Sequence, residues 1–242
     1  MRIKSVLIAT ALAASASAAG ASSASAATGH ACKVNGLAAG CPAALTIPAP
    51  SDLIATDVGP AAADDFRFLG PGNSVRCRDA THKGILTSSG GPVYPVGGAG
   101  PKGYIPAASI TGPAGTPCIG AIPGAAITAT VTLLDGNGAS PGLVDVQGDW
   151  LAGLLQARLT LRAPVFGIRE FVGGALVASC VYRGGAFTGV VTNAASGRVN
   201  YTAQPVNKLA GPAICPAAGT ISVPFNVRWA AGGLAGPFRV SA

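Results

Sequence analysis

The side chains that could move a proton or attack a bond are few, and each set lacks a part its chemistry needs. Acid–base work by paired carboxylates requires two acids facing one site with pKa values pushed apart. The sequence offers adjacent Asp64 and Asp65, and Asp145 with Asp149 around Val146-Gln147-Gly148. Neighbours on a strand face opposite ways, so Asp64 and Asp65 make a poor pair, and both sets read as solvated turn acids. A nucleophilic triad would have to combine Asp79, His82 and Ser88, because His30 sits two residues from Cys32 near the N-terminus. No Gly-x-Ser-x-Gly elbow surrounds that serine, and a polar hairpin between strands explains the stretch better. Asp135-Gly136-Asn137-Gly138 opens like a calcium loop but lacks the downstream acid, so it reads as a turn. Gly97-Gly98-Ala99-Gly100-Pro101-Lys102-Gly103 misses the spacing of a phosphate loop and has no helix behind it. No metal, cofactor or catalytic residue is expected from these sets.

Contact chemistry leaves one candidate. Trp150, Trp229, Tyr94, Tyr104, Tyr182 and Tyr201 are the residues a carbohydrate or peptide platform would use. Trp229 falls on the apolar side of an alternating run and reads as core. Trp150 follows Gly148-Asp149 at an element boundary and is the candidate ligand-contact residue. Aromatics make up only 5% of the chain, which is sparse for a lectin surface.

The elements that must carry these residues are strands. Ile221, Val223, Phe225, Val227 and Trp229 alternate with Ser222, Pro224, Asn226 and Arg228, as on a strand with one buried face. Pro224 cannot donate to a ladder, which predicts an edge strand or a bulge there. Residues 126–133 repeat the alternation before the turn at 135–138, and 158–162 and 199–203 show it again. Residues 176–183 and 186–192 flank Gly184-Gly185 and read as a hairpin. Weaker strands are expected at 66–69, 74–79, 84–87, 104–110 and 143–147, and 150–157 could form a single helical turn at best. The fold expected is all-β, an antiparallel sandwich or barrel of about ten short strands.

Residues 1–27 read as an export signal, with Arg2 and Lys4 ahead of a compact apolar run and small residues at 24–27. Residues 28–60, with Pro42, Pro48, Pro50 and Pro60, read as a Pro-rich leader, and 61–242 as one β domain. No later apolar run is long enough for a membrane helix; the mean hydropathy of +0.48 reflects abundant Ala and only 10% charged residues. Compositional bias explains that scarcity, and a surface adapted to an envelope, a lipid or a like partner is the sharper alternative. The net charge of +7 falls to +5 without the signal, and the basic residues are scattered singly, so nucleic acid is excluded as a partner. Export carries the six cysteines into an oxidising compartment. No Cys-x-x-Cys occurs and only two histidines are present, so disulfides fit better than zinc. Sequence does not choose among the pairings; the working expectation is sequential, Cys32–Cys41, Cys77–Cys118 and Cys180–Cys215, the first on the leader and the others stapling the domain.

The order of short motifs from Val75 onward resembles a group of secreted, cysteine-containing, β-rich actinobacterial proteins. The resemblance rests on Val75-Arg76-Cys77, Leu86-Thr87-Ser88-Ser89-Gly90, Thr116-Pro117-Cys118, Asp149-Trp150, Ala178-Ser179-Cys180 leading to Gly189 and Val190, and Cys215. It implies an exported, disulfide-bonded β domain and brings no catalytic residues with it; the loop holding Cys32 and Cys41 is an addition here.

The expected function is therefore that of a secreted, non-enzymatic β domain, cell-envelope-associated or acting in extracellular binding, adhesion or structure. Its partner would be an envelope polymer, a carbohydrate or a protein. Two alternatives carry their own requirements. An extracellular hydrolase needs at least two of Asp79, His82, Asp145 and Asp149 to converge in a cleft. A carbohydrate-binding module needs Trp150 and a tyrosine exposed on one concave face.

Overall fold

The computed structural model describes residues 30–33, 41, 43–57, 65–78, 81–88, 102–105, 109–110, 117–134, 144–151, 156–192 and 197–241. These form eighteen strands and a 3-10 turn at Ala43–Leu45, with no α-helix among them. The strands are β1 (His30–Cys32), β2 (Ser51–Asp57), β3 (Phe66–Gly70), β4 (Asn73–Cys77), β5 (Thr81–Ser88) and β6 (Lys102–Ile105). Next come β7 (Ser109–Ile110), β8 (Cys118–Ile122), β9 (Ala125–Leu134), β10 (Val144–Leu151), β11 (Gln156–Arg162) and β12 (Val165–Val172). The last are β13 (Ala175–Gly184), β14 (Ala186–Thr192), β15 (Arg198–Ala210), β16 (Ala218–Ala231), β17 (Leu234–Pro237) and β18 (Arg239–Ser241). The chain is thus all-β and closes as an antiparallel barrel rather than a sandwich, with more strands than the alternation had indicated.

Closure happens twice. Following the pairings β12–β13–β15–β16–β3–β4–β8–β9 leads back to β12, an antiparallel circuit of eight strands. Following β11–β14–β15–β16–β2–β5–β6–β10 leads back to β11, a second circuit of eight. We call the first the lower ring and the second the upper ring. They share the β15–β16 hairpin: β16 pairs β3 through residues 220–222 and β2 through 225–230, while β15 pairs β14 through 198–200 and β13 through 206–210. The strands β11 and β12 follow each other across Ala163-Pro164, and β13 and β14 across Gly185. One wall is therefore four long passes running through both rings, and the opposite wall is two separate four-stranded sets.

A waist lies where the passes cross from ring to ring. Pro224 is there, at the level where the partner of β16 changes from β3 to β2. This corrects the expectation of an edge strand, because β16 is flanked on both sides. The irregularity expected as the alternative lies on the partner strand β15, opposite residues 221–223, and Pro224 sits in the gap between the β3 and β2 pairings. The expected Gly184-Gly185 hairpin is also absent, because β13 and β14 do not pair with each other and run on in sequence, one in each ring. On β15 the register shifts between Tyr201 and Gln204, Ala203 takes φ 47°, and side chains satisfy the bulge. The Ser222 hydroxyl accepts from Ala203 N at 2.8 Å, and Gln204 Oε1 accepts from Thr188 N of β14 at 3.0 Å.

The three disulfides join Cys32–Cys41, Cys77–Cys118 and Cys180–Cys215. The second links the ends of β4 and β8, and the third ties β13 to the β15–β16 connection, so both lie in the lower ring. The described part of the expected leader is built into the fold. β1 pairs β18, β2 is a stave of the upper ring, and Ala31, Cys32 and Ile47 are fully buried. Residues 1–27 lie outside the described residues.

Candidate functional site

The upper ring encloses the clearest cavity. Its wall strands turn alternate side chains inward, and several inward positions carry little or nothing: Ala55 on β2, Gly84 on β5 and Gly189 on β14. A Cβ at Gly189 would lie 2.7 Å from Tyr201 Cε1 and 2.8 Å from Val199 Cγ1, so glycine there lets the Tyr201 ring lie against the sheet. Leu53, Ala55, Leu159, Leu161, Val199, Phe225 and Val227 then bound a space of about 70 Å³. A second space of about 40 Å³ lies toward the waist, against Phe66, Phe166 and Phe187, and shares Ile105, Leu161 and Phe225 with the first. Lys83, which is exposed, is the one charged residue among the described lining of the larger cavity.

The chemistry of this space is that of hydrocarbon. A resident water needs two to four polar partners, and these walls offer almost none. Tyr201 is the exception in composition, but burial pushes its phenol well above the usual range and keeps it neutral. The space is about half the size of a roughly 150 Å³ cavity that accepts a benzene ring, which suits a few aliphatic carbons.

The lower ring holds a different interior. Glu170 on β12 is 1% exposed, and its Oε1 accepts from Asn73 Nδ2 at 2.7 Å. Its Oε2, Asn73 Oδ1 and the Tyr182 hydroxyl have no hydrogen-bond partner. Burial raises the Glu170 pKa and the Asn73 hydrogen bond partly opposes it. Burial, and secondarily the Glu170 charge, raises the Tyr182 phenol. Tyr182 packs on Phe68 with ring centroids 4.6 Å apart. Among the described residues no three His, Cys, Asp or Glu side chains gather as a metal site.

Comparison of the chain with protein-family models, with curated proteins and with solved structures finds no match. The site must stand on its geometry alone.

The residues singled out in the sequence fare unevenly. Trp150, Asp145 and Asp149 fall on β10 and His82 and Ser88 on β5, but their side chains lie outside the described residues, as do Asp64, Asp79, Tyr94 and the turn at 135–138. The glycine-rich stretch at 97–103 is described only from Lys102, which opens β6. Asp65 is buried and ion-paired to Arg76, which corrects its reading as a solvated acid. Trp229 is core, as expected, with Lys33 Nζ 5.6 Å from its ring centroid. Tyr182 and Tyr201 are interior, so neither belongs to an exposed aromatic platform. Sequence reasoning missed Glu170, the only glutamate in the chain. Its signal was parity: Ile168 and Glu170 share a strand face, so a buried Ile168 takes Glu170 inside with it.

Proposed function

We propose that the protein is an exported, non-enzymatic binding domain whose ligand is a compact apolar group held in the upper ring. The observation that carries this reading is the cavity of about 70 Å³ walled by Leu53, Leu159, Leu161, Val199 and Val227. Such a space does nothing for stability, since unfilled volume forfeits contacts on its lining. Walls mostly of carbon bind aliphatic groups, and among the described lining residues only Tyr201 and Lys83 carry a polar side-chain group, which favours holding over transforming. The three disulfides suit an oxidising compartment.

Xenon tests the reading, being apolar and small enough for the space. Xenon-saturated buffer should shift the methyl resonances of Leu53, Leu159, Leu161, Val199 and Val227 in the folded protein. Ala55→Leu, which places a side chain into the cavity, should abolish those shifts while the protein stays folded. Unchanged methyl spectra in the unsubstituted protein, or equal shifts in the variant, would reject the cavity as a binding site.

A further inference from the structure

All four turns that close the lower ring away from the waist lie at one end of the molecule. They join β3 to β4, β8 to β9, β12 to β13 and β15 to β16, and the registers place residues 69, 121, 126, 171, 176, 209 and 219 around that end. The segments 69–72, 121–126, 171–178 and 209–219 contain no Asp, Glu, Lys or Arg. Surface turns are ordinarily polar, so a barrel end without a charge is unusual in itself. It is also apolar and open. Leu69, Leu176, Leu209 and Ile214 are each 44–50% exposed, and Val172 and Val177 stand beside Leu176 on the same hairpin. Elsewhere among the described residues only Ile119, Val190 and Leu234 are large, apolar and comparably exposed.

Immediately above this end the wall turns basic. Arg67 is two residues from Leu69 on β3 and lies opposite Arg76 on β4. Arg169 is exposed two residues before Phe171 on β12, and Lys208 precedes Leu209 on β15. The Lys208 ammonium donates to Pro212 O at 3.3 Å and Cys215 O at 3.1 Å, so it also holds the longest of the four turns. Among the described residues the acids of this half are Asp65, buried against Arg76, and Glu170, buried inside the ring. Its described surface therefore shows positive charge only.

We propose that this end of the lower ring is a docking surface for an anionic lipid bilayer, entered by the hydrophobic turns and bordered by arginines that meet the headgroups. Charge decides between occupants. A second copy of the chain would bring its own basic girdle against this one, whereas anionic headgroups lie at the level of the arginines once the turns enter the acyl boundary. Depth is limited by the same girdle. β3, β4 and β8 have five residues each, about 17 Å of strand against a hydrocarbon core of roughly 30 Å, so the protein lies in one leaflet rather than across two. This inference does not depend on the cavity, which belongs to the other ring.

Sedimentation of the purified, oxidised protein with vesicles tests it. Vesicles of equal parts phosphatidylglycerol and phosphatidylcholine should carry the protein down, and phosphatidylcholine alone should carry much less. Leu176→Asp combined with Ile214→Asp should weaken the binding by at least about tenfold, since two buried apolar side chains are lost. Both positions are exposed, so the melting temperature should not move. Arg169→Glu should also weaken binding and flatten its dependence on salt. The proposal fails if neither vesicle binds, or if the double variant binds as well as the parent. It also fails if the protein without vesicles is a dimer that the double variant dissolves.

Discussion

A carboxyl sealed among carbon side chains is costly in its charged form, and Glu170 is such a group. Its Oε1 is satisfied by Asn73, but Oε2 has no partner and burial lifts the pKa above the usual carboxylate range. The folded state therefore holds the proton at pH values where the unfolded chain has released it. Stability from this group is fully present below the unfolded value of about 4.3 and is lost as pH rises through the higher folded value. Gln at this position keeps an oxygen for Asn73 and brings no charge. Glu170→Gln should raise the urea stability at pH 8 by about 1–3 kcal/mol, the cost of an unsatisfied buried group, and change it little at pH 4. A destabilised variant at pH 8 would mean the carboxylate has a partner that compensates its burial. The sequence held this site within reach through strand parity. It withheld Asn73, whose meeting with Glu170 depends on ring closure between segments 97 residues apart, whereas Tyr182 reaches Glu170 from the neighbouring strand of the β12–β13 hairpin.

The waist is written in proline, glycine and parity. Among the described side chains of β11 the buried ones are Leu159 and Leu161, and on β12 they include Phe166, Ile168 and Glu170, so the inward face changes from odd to even numbers. The same change separates Cys180 and Tyr182 on β13 from Phe187 and Val191 on β14, and Tyr201 from Val206 within β15. Each marks a register slip that lets a strand leave one ring and enter the next. At the Gly-Gly pair this gives unequal roles to adjacent residues. A Cβ at Gly184 would meet Phe187 Cζ at 2.8 Å and Cδ1 at 2.9 Å, and that ring is buried and stacked 5.8 Å from Phe166; a Cβ at Gly185 meets nothing. Gly184→Ala should cost about 1–3 kcal/mol by overpacking, and Gly185→Ala should be neutral or slightly stabilising, read from denaturant midpoints. Equal effects would restore the two-residue turn that the sequence had suggested. Alternation found β9, β11 and β13 to β16 because each shows one buried face. It missed β12, where Val165-Phe166 and Phe171-Val172 put apolar residues at both parities, and β2, whose flanking prolines resemble a leader. A buried-face pattern tells which way a side chain points but not which strand it sits beside. Two closed rings and one long sandwich therefore read alike in sequence.

Whether the rings are one molecule or two joined folds is an energetic matter. Unfolding the upper ring would strip β2 and β14 from half of the shared hairpin, leaving β15 and β16 with unpaired edges while they still belong to the lower ring. The interior is continuous as well. Phe166 lies 6.1 Å from Phe66 in the lower ring and 5.8 Å from Phe187 in the upper, and the residues of both rings form one buried cluster. Two of the three disulfides lie in the lower ring, so covalent staples alone would make that ring the more stable, each closing a loop worth about 4 kcal/mol in chain entropy. The shared strands and the aromatic waist oppose that asymmetry by coupling the rings. Calorimetry of the oxidised protein should accordingly give one transition, with the calorimetric and van't Hoff enthalpies equal. Phe166→Ala removes the ring that touches both sides and should lower stability by about 3–5 kcal/mol while leaving that transition single. Two resolved transitions in the parent would mean that the rings stand independently and that the long strands merely pass between them. A split appearing only in Phe166→Ala would place the coupling in the aromatic contact rather than in the shared backbone.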